Sequence, residues 1–219
     1  MKTDYTHISL VLDRSGSMSS VRDDTIGGFN RFLEEQQAVP GKATFTLVLF
    51  DSNAVEFKSV ASDIKGIPKL TKETYVPGDY TPLYDAIGKT IDATGNFLEK
   101  LSESERPAKV VFVVMTDGQE NASREFSLDR VRSMIERQKK NYAWEFVFLG
   151  ANIDSYAVGG SLCVGASNTM NFGATGQSVN AAYGSTSSNL RSYRVGAVQT
   201  MAFTKKDKDD QADAGVSNP

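Results

Sequence analysis

The chain has one cysteine, Cys163, and one histidine, His7. A lone cysteine excludes an internal disulfide, and the two residues together fall short of a structural zinc site. His7 lies in "THISLVL", where an ordinary hydrogen-bonded strand histidine is the expected role. Cys163 lies in "GGSLCVGA" and is expected to be a small core residue rather than a nucleophile. Charge of one sign is also missing. With 24 basic and 27 acidic residues the formal net charge is -3, which gives no electrostatic case for nucleic acid or an anionic membrane. No apolar run approaches the ~20 residues that span a bilayer. The opening "MKTDYTHISLVLDRSGS" has no secretory pattern, because Asp13 ends a short apolar run. These absences give an expectation of a cytoplasmic protein.

What is present is ordinary globular composition, 40% hydrophobic over 219 residues, enough for one sizeable core. The expectation is a single domain over 1–203 and a disordered tail over 204–219, where "KKDKDDQADAGVSNP" is too polar to pack. Strand and helix periods alternate along the chain. Strands are predicted at 8–12, 43–50, 54–61, 109–115, 144–150 and 167–172. Helices are predicted at 19–37, 81–101, 128–140, 154–164 and, weakly, 179–194. The tight "DSN" turn at 51–53 predicts an antiparallel pair whose second member is an edge strand. A long irregular stretch at 62–80 has the length of a functional loop. The alternation predicts a layered α/β domain with a mostly parallel sheet. Ligands of such sheets bind beyond the carboxyl ends of the strands, where strand order reverses.

Residues with side-chain oxygens gather at those strand ends. In "VLDRSGSMSS" (11–20), Asp13, Ser15 and Ser17 carry an oxygen at every second position, with Gly16 among them. Thr81 ends the long loop in "PGDYTPLYDA". Asp117 follows the strongest strand in "VVMTDGQEN". Each has a purely structural role open to it. Serines ahead of a helix are common N-caps, Thr81-Pro82 reads as an N-cap and first helical residue, and Asp117-Gly118 is an ordinary turn pair. Taken jointly, all five supply hard oxygen and none supplies nitrogen or sulfur. Such a set suits Mg²⁺, with Mn²⁺ or Ca²⁺ as substitutes. Gly16 is expected to permit a sharp bend that lets two hydroxyls converge.

"DRSGS" resembles the Asp-x-Ser-x-Ser motif of von Willebrand factor A (VWA) domains, found also as integrin I domains. "YTPLYDAI" is similar to that family's threonine segment and "VVMTDG" to its second aspartate segment. The resemblance covers roughly residues 5 to 195. It departs at Asp79-Tyr80, where the family often has small residues, and this narrows the approach to the site. The resemblance implies a three-layer, Rossmann-like fold with strand order 3-2-1-4-5-6. It also implies a metal-ion-dependent adhesion site (MIDAS) made of Asp13, Ser15, Ser17, Thr81 and Asp117. In that site Ser15 and Ser17 bind the ion directly, Thr81 binds directly or through water, and Asp13 and Asp117 act largely through water or by holding the residues that bind it. The implied function is a non-catalytic, protein-binding module in which Mg²⁺ bridges to an Asp or Glu carboxylate of a partner. The implied type is a stand-alone intracellular bacterial or phage-type protein, with AAA+ ATPases or other assemblies among its partners.

Two other readings stand beside it. One is a Mg²⁺-dependent phosphoryl-transfer or hydrolytic enzyme with Asp13 as nucleophile, although Ser15 stands where haloacid-dehalogenase-type enzymes use an acid. The other is an α/β domain whose oxygens only cap helices. "GKT" at 88–90 lacks the earlier glycine of a P-loop, since position 83 is Leu83. "NAS" at 121–123 reads as a rim loop after Asp117.

Overall fold

Alternate residues of the first strand point into two different cores. In β1 (Lys2–Asp13), Ile8, Leu10 and Leu12 are buried on one face, while Val11 joins a second cluster on the other. The chain continues through α1 (Arg22–Gln37), β2 (Lys42–Phe50), β3 (Val55–Asp63), α2 (Leu83–Glu99) and β4 (Pro107–Thr116). It then forms α3 (Leu128–Tyr142), β5 (Glu145–Ala151), α4 (Ser155–Ser161), β6 (Thr169–Phe172), α5 (Gly176–Arg194) and α6 (Lys205–Ala212). This is a computed structural model, and it describes residues 1–212, 216 and 218.

Six strands form one sheet in the order β3-β2-β1-β4-β5-β6. All neighbours are parallel except β2 and the edge strand β3. Helices α1 and α5 cover one face, where Phe29, Phe32, Val179 and Tyr183 meet Phe45 and Leu47. On the other face Leu83, Ile87 and Ile91 of α2 and Val131 and Ile135 of α3 pack with Phe112 and Phe146. Two buried faces explain why β4 reads as an unbroken apolar run. Strand order reverses between β1 and β4, so their carboxyl ends, Asp13 and Thr116, lie side by side. Among the described residues no helix is long and apolar enough to cross a membrane.

One expectation is met more strongly than its pattern suggests, and two need correction. The helix predicted weakly at 179–194 forms, and at 19 residues it is the longest described. Its interface combines apolar packing of Val179, Tyr183 and Leu190 with buried polar contacts. The Tyr183 ring fills the space beside Gly28, where a Cβ would come within 2.3 Å of it. Gln36 donates to Ser187 at 2.9 Å, and Arg194 donates to the Gln36 carbonyl at 2.6 Å. The first correction is that part of the stretch read as a disordered tail is helical. The fully buried Gln211 of α6 bonds the Ser178 hydroxyl and carbonyl, so one glutamine anchors an otherwise charged helix. Positions 213–215, 217 and 219 of that tail lie outside the described residues. The second is that Cys163 is not a core residue. It is half-buried just past α4 in a left-handed conformation, φ 59°, with Sγ 3.0 Å from a Glu136 carboxylate oxygen.

His7 is fully buried on the α2 side of β1. Its Nδ1 lies 2.9 Å from Thr44 Oγ1 and its Nε2 lies 3.1 Å from Ser9 Oγ, which in turn meets Thr94 of α2 at 3.0 Å. Burial lowers its pKa to about 3. Between about 3 and 6.5, therefore, the unfolded chain takes up a proton at His7 that the folded chain refuses. This contribution to stability is complete above the unfolded value and is lost as pH falls. Relative to a His7→Gln variant, the wild type is expected to lose stability on acidification from pH 6.5 to 4, with a limiting slope of about 1.4 kcal/mol per pH unit. Urea unfolding of both proteins across that range checks it, and parallel pH profiles would refute it.

Candidate metal centre

The five oxygen-bearing residues converge on the carboxyl ends of β1 and β4 and the start of α2. Asp13 is the last residue of β1 and is completely buried. Its Oδ1 accepts from the Ser15 amide at 2.6 Å, and its Oδ2 accepts from the Thr116 hydroxyl at 2.5 Å. Leu12 pairs with Met115, so the register of β1 on β4 sets Asp13 beside Thr116. From behind, the buried Tyr75 hydroxyl donates to the Asp13 carbonyl at 2.5 Å. In front, Ser15 Oγ lies 3.2 Å from Ser17 Oγ, and Ser17 Oγ donates to Asp117 Oδ1 at 2.5 Å. Thr81 presses its Oγ1 against Gly118, the residue after Asp117, where a Cβ would come within 2.7 Å of it.

The structural roles open to these residues are filled by others. Ser15 sits at the head of a 3₁₀ turn, Gly16–Val21, without a side-chain capping bond. Thr81 lies outside α2, which begins at Leu83 after Pro82. The start of α2 is served instead by Glu120 Oε2, which accepts from the Tyr84 amide at 2.9 Å, and by Ser123 Oγ, which accepts from the Asp85 amide at 3.0 Å. Asn121 Oδ1 accepts from the Thr81 amide at 2.8 Å. The "NAS" segment is thus a rim loop that holds Thr81 in place. Among the described residues no protein group bonds the Thr81 hydroxyl.

Gly16 differs from the sequence expectation. Its φ is not left-handed, so its bend is one that any residue could make. What it provides is room. A Cβ there would meet the Gly78 carbonyl oxygen at 2.9 Å, because the long loop lies directly on this turn. The Gly16 amide donates to the Asp79 carbonyl at 3.1 Å, and the Gly78 amide donates to the Arg14 carbonyl at 2.6 Å. Arg14 turns away from the centre and pairs with Asp51 at 2.9 Å and Glu56 at 2.8 Å. Tyr80, at the loop's end, is 61% exposed and stands at the rim.

The electrostatics are unbalanced. Two buried carboxylates meet the same Ser15–Ser17 turn, and no lysine or arginine pairs with either among the described residues. Burial raises Asp13 to about 6, against the opposing hydrogen bonds from Thr116 and Ser15, and the Asp117 charge raises it further. Burial also raises Asp117, against the bond from Ser17. Asp117 Oδ2 is buried and has no hydrogen-bond partner among the described residues. A buried, unpaired carboxylate oxygen is costly unless a cation or donor meets it. The site therefore fits a small hard cation through three hydroxyls and two carboxylates. Among the described residues no three His, Cys, Asp or Glu side chains cluster to hold a metal, so hydroxyl oxygens are indispensable to such a site.

Sequence reasoning missed Thr116, Tyr75 and Arg14. Thr116 had a signal, as the one polar residue closing the apolar run "VVFVVM". Tyr75 and Arg14 act across loops, and nothing local marks them.

This architecture is that of known structures. The proximal thread matrix protein 1 of the mussel byssus, in a form with a zinc-occupied MIDAS motif, matches with a TM-score of 0.57 and 14% identity over 85% of this chain and 46% of that one. A von Willebrand factor type A structure from Catenulispora acidiphila matches with a TM-score of 0.53 and 9% identity, over 84% of this chain and 42% of that one. The chain therefore has the von Willebrand factor A fold. It spans less than half the length of either of these proteins. No protein-family model matches it, and no curated protein matches it in sequence.

Thr116→Val keeps the shape of the side chain but strips Asp13 Oδ2 of its donor. It is expected to cost about 1–3 kcal/mol of stability at neutral pH in chelator. Denaturant unfolding measures this, and an unchanged midpoint would show that the Asp13–Thr116 bond contributes nothing.

Proposed function

We propose that this chain is a metal-ion-dependent protein-binding module. A divalent cation, Mg²⁺ with Mn²⁺ or Ca²⁺ as substitutes, is held by the hydroxyls of Ser15, Ser17 and Thr81, with Asp13 and Asp117 acting largely through water. The observation that carries this reading is the orphaned Asp117 Oδ2 beside hydroxyls that cap no helix. The solved structures of the same fold, one with zinc in its MIDAS motif, support a divalent ion in general.

Bound there, the ion supplies an electrophilic coordination position, because neutral hydroxyls donate little charge to it. The chain's own residues do the rest. Thr116 and the Ser15 amide fix the Asp13 carboxylate, Asp117 orients Ser17, and Asn121 holds the Thr81 backbone. The open side faces outward past Tyr80, where a partner's Asp or Glu carboxylate completes the site. The enzyme reading is weaker. Both Asp13 oxygens are engaged and the residue is wholly buried, which favours a positioning role over nucleophilic attack.

Wild-type protein is expected to bind one equivalent of Mn²⁺, followed by the loss of free-ion paramagnetic resonance signal. Asp13→Ala/Ser15→Ala is expected to bind it about 10-fold more weakly or worse while keeping its circular dichroism. Equal affinity in both proteins would remove the metal centre from these residues. For the partner, capture from host lysate in Mg²⁺ is compared with capture in EDTA. A partner retained regardless of chelation and of the double substitution would place binding on another face.

A further inference from the structure

Beside the candidate centre a groove of about 510 Å³ runs between the β2–β3 turn, the start of α2 and the rim loop after Asp117. Asn53, Tyr80, Pro82, Asn121, Ser123 and Arg124 line it. It adjoins the centre through two of its lining residues, Tyr80, which precedes Thr81, and Asn121, whose Oδ1 accepts from the Thr81 amide at 2.8 Å. Tyr80 is a large, exposed ring at the junction, the kind of side chain that anchors interfaces.

The groove's charges are not equivalent. Three carboxylates belong to its wall, and each is already answered from within the chain. Asp51 accepts from Arg14 at 2.9 Å and from the amides of Asn53 at 2.7 Å and Ala54 at 3.1 Å. Asp85 accepts from the amides of Arg124, Glu125 and Phe126 at 2.8–2.9 Å. Glu125 pairs with Lys89 at 2.6 Å. The Arg124 side chain, by contrast, is exposed and has no partner among the described residues. Its backbone is pinned by Asp85, so the exposed side chain starts from a fixed point at the groove's edge.

We infer that this groove reads the chain flanking the partner's metal-bound carboxylate, and that the partner segment is extended and carries a second acidic residue that pairs with Arg124. A side chain between the two acids packs on Tyr80, and the exposed carboxamide of Asn53 is free to bond the segment's backbone. This rests on the reading of the centre as a metal-dependent carboxylate receptor, and adds to it the class of sequence recognised.

The test is selection from a random linear peptide library displayed on phage. The baits are the full chain and Arg124→Glu, each in Mg²⁺ and in EDTA. The wild type is expected to enrich, only in Mg²⁺, peptides with two acidic residues at a recurring spacing. Arg124→Glu is expected to keep the first acid and exchange the second for Lys or Arg. In titrations of one selected peptide, changing the second acid to Gln is expected to weaken wild-type binding about 2- to 5-fold, the size of an exposed ion pair, and to leave Arg124→Glu binding no weaker. Mg²⁺-dependent peptides with a single acid, selected alike by both baits, would overturn the role of the groove and leave the centre standing. Absence of any Mg²⁺-dependent peptide would overturn the carboxylate-receptor reading and this inference with it.

Discussion

The carboxylate of Asp13 is the point on which this molecule turns. It sits wholly buried where strand order reverses, held by one amide, one hydroxyl and no cation from the protein. Burying such a group is unfavourable, and the neighbouring Asp117, with one oxygen unanswered, compounds the cost. Natural folds tolerate unbalanced charge of this kind where it serves a ligand. The rest of the rim is organised around that imbalance. Tyr75 braces the Asp13 carbonyl, the long loop covers the turn at Gly16, and the loop after Asp117 fixes Thr81.

Much of this was legible in the residues themselves. Short apolar runs bounded by turns placed the six strands and helical periods the first four helices, because a sheet buried on both faces leaves continuous apolar runs. The alternating oxygens of Asp13, Ser15 and Ser17 pointed to one rim, as did Thr81 and Asp117. The rest depends on contacts between distant segments. Thr116 becomes a partner of Asp13 only through the register of two strands 103 residues apart in their key pair. Helix α5 looked weak because its buried face mixes Ser178, Ser185, Thr186 and Ser187 with Val179, Tyr183 and Leu190, and no periodicity reports the fit of Tyr183 on Gly28 or of Ser187 on Gln36. Gln211 likewise anchors α6 through a single buried amide in a charged sequence.

Gly16 separates two meanings of glycine. A glycine in a motif is commonly read as conformational freedom, yet this one has an ordinary backbone and is there for absence of bulk. The difference matters for the site. A flexible turn would let the serine hydroxyls wander, whereas a packed one holds them.

The last residues of the long loop are tied to the centre through main-chain atoms, with Gly78 and Asp79 exchanging backbone bonds with Arg14 and Gly16. The side chains of Asp79 and Tyr80 take no part in those ties. A lineage carrying this scaffold can therefore rewrite the outward face of the loop one substitution at a time without disturbing the oxygens beneath it. On the proposed reading, choice of partner and chemistry of attachment rest on different atoms, and a change of the one leaves the other in place.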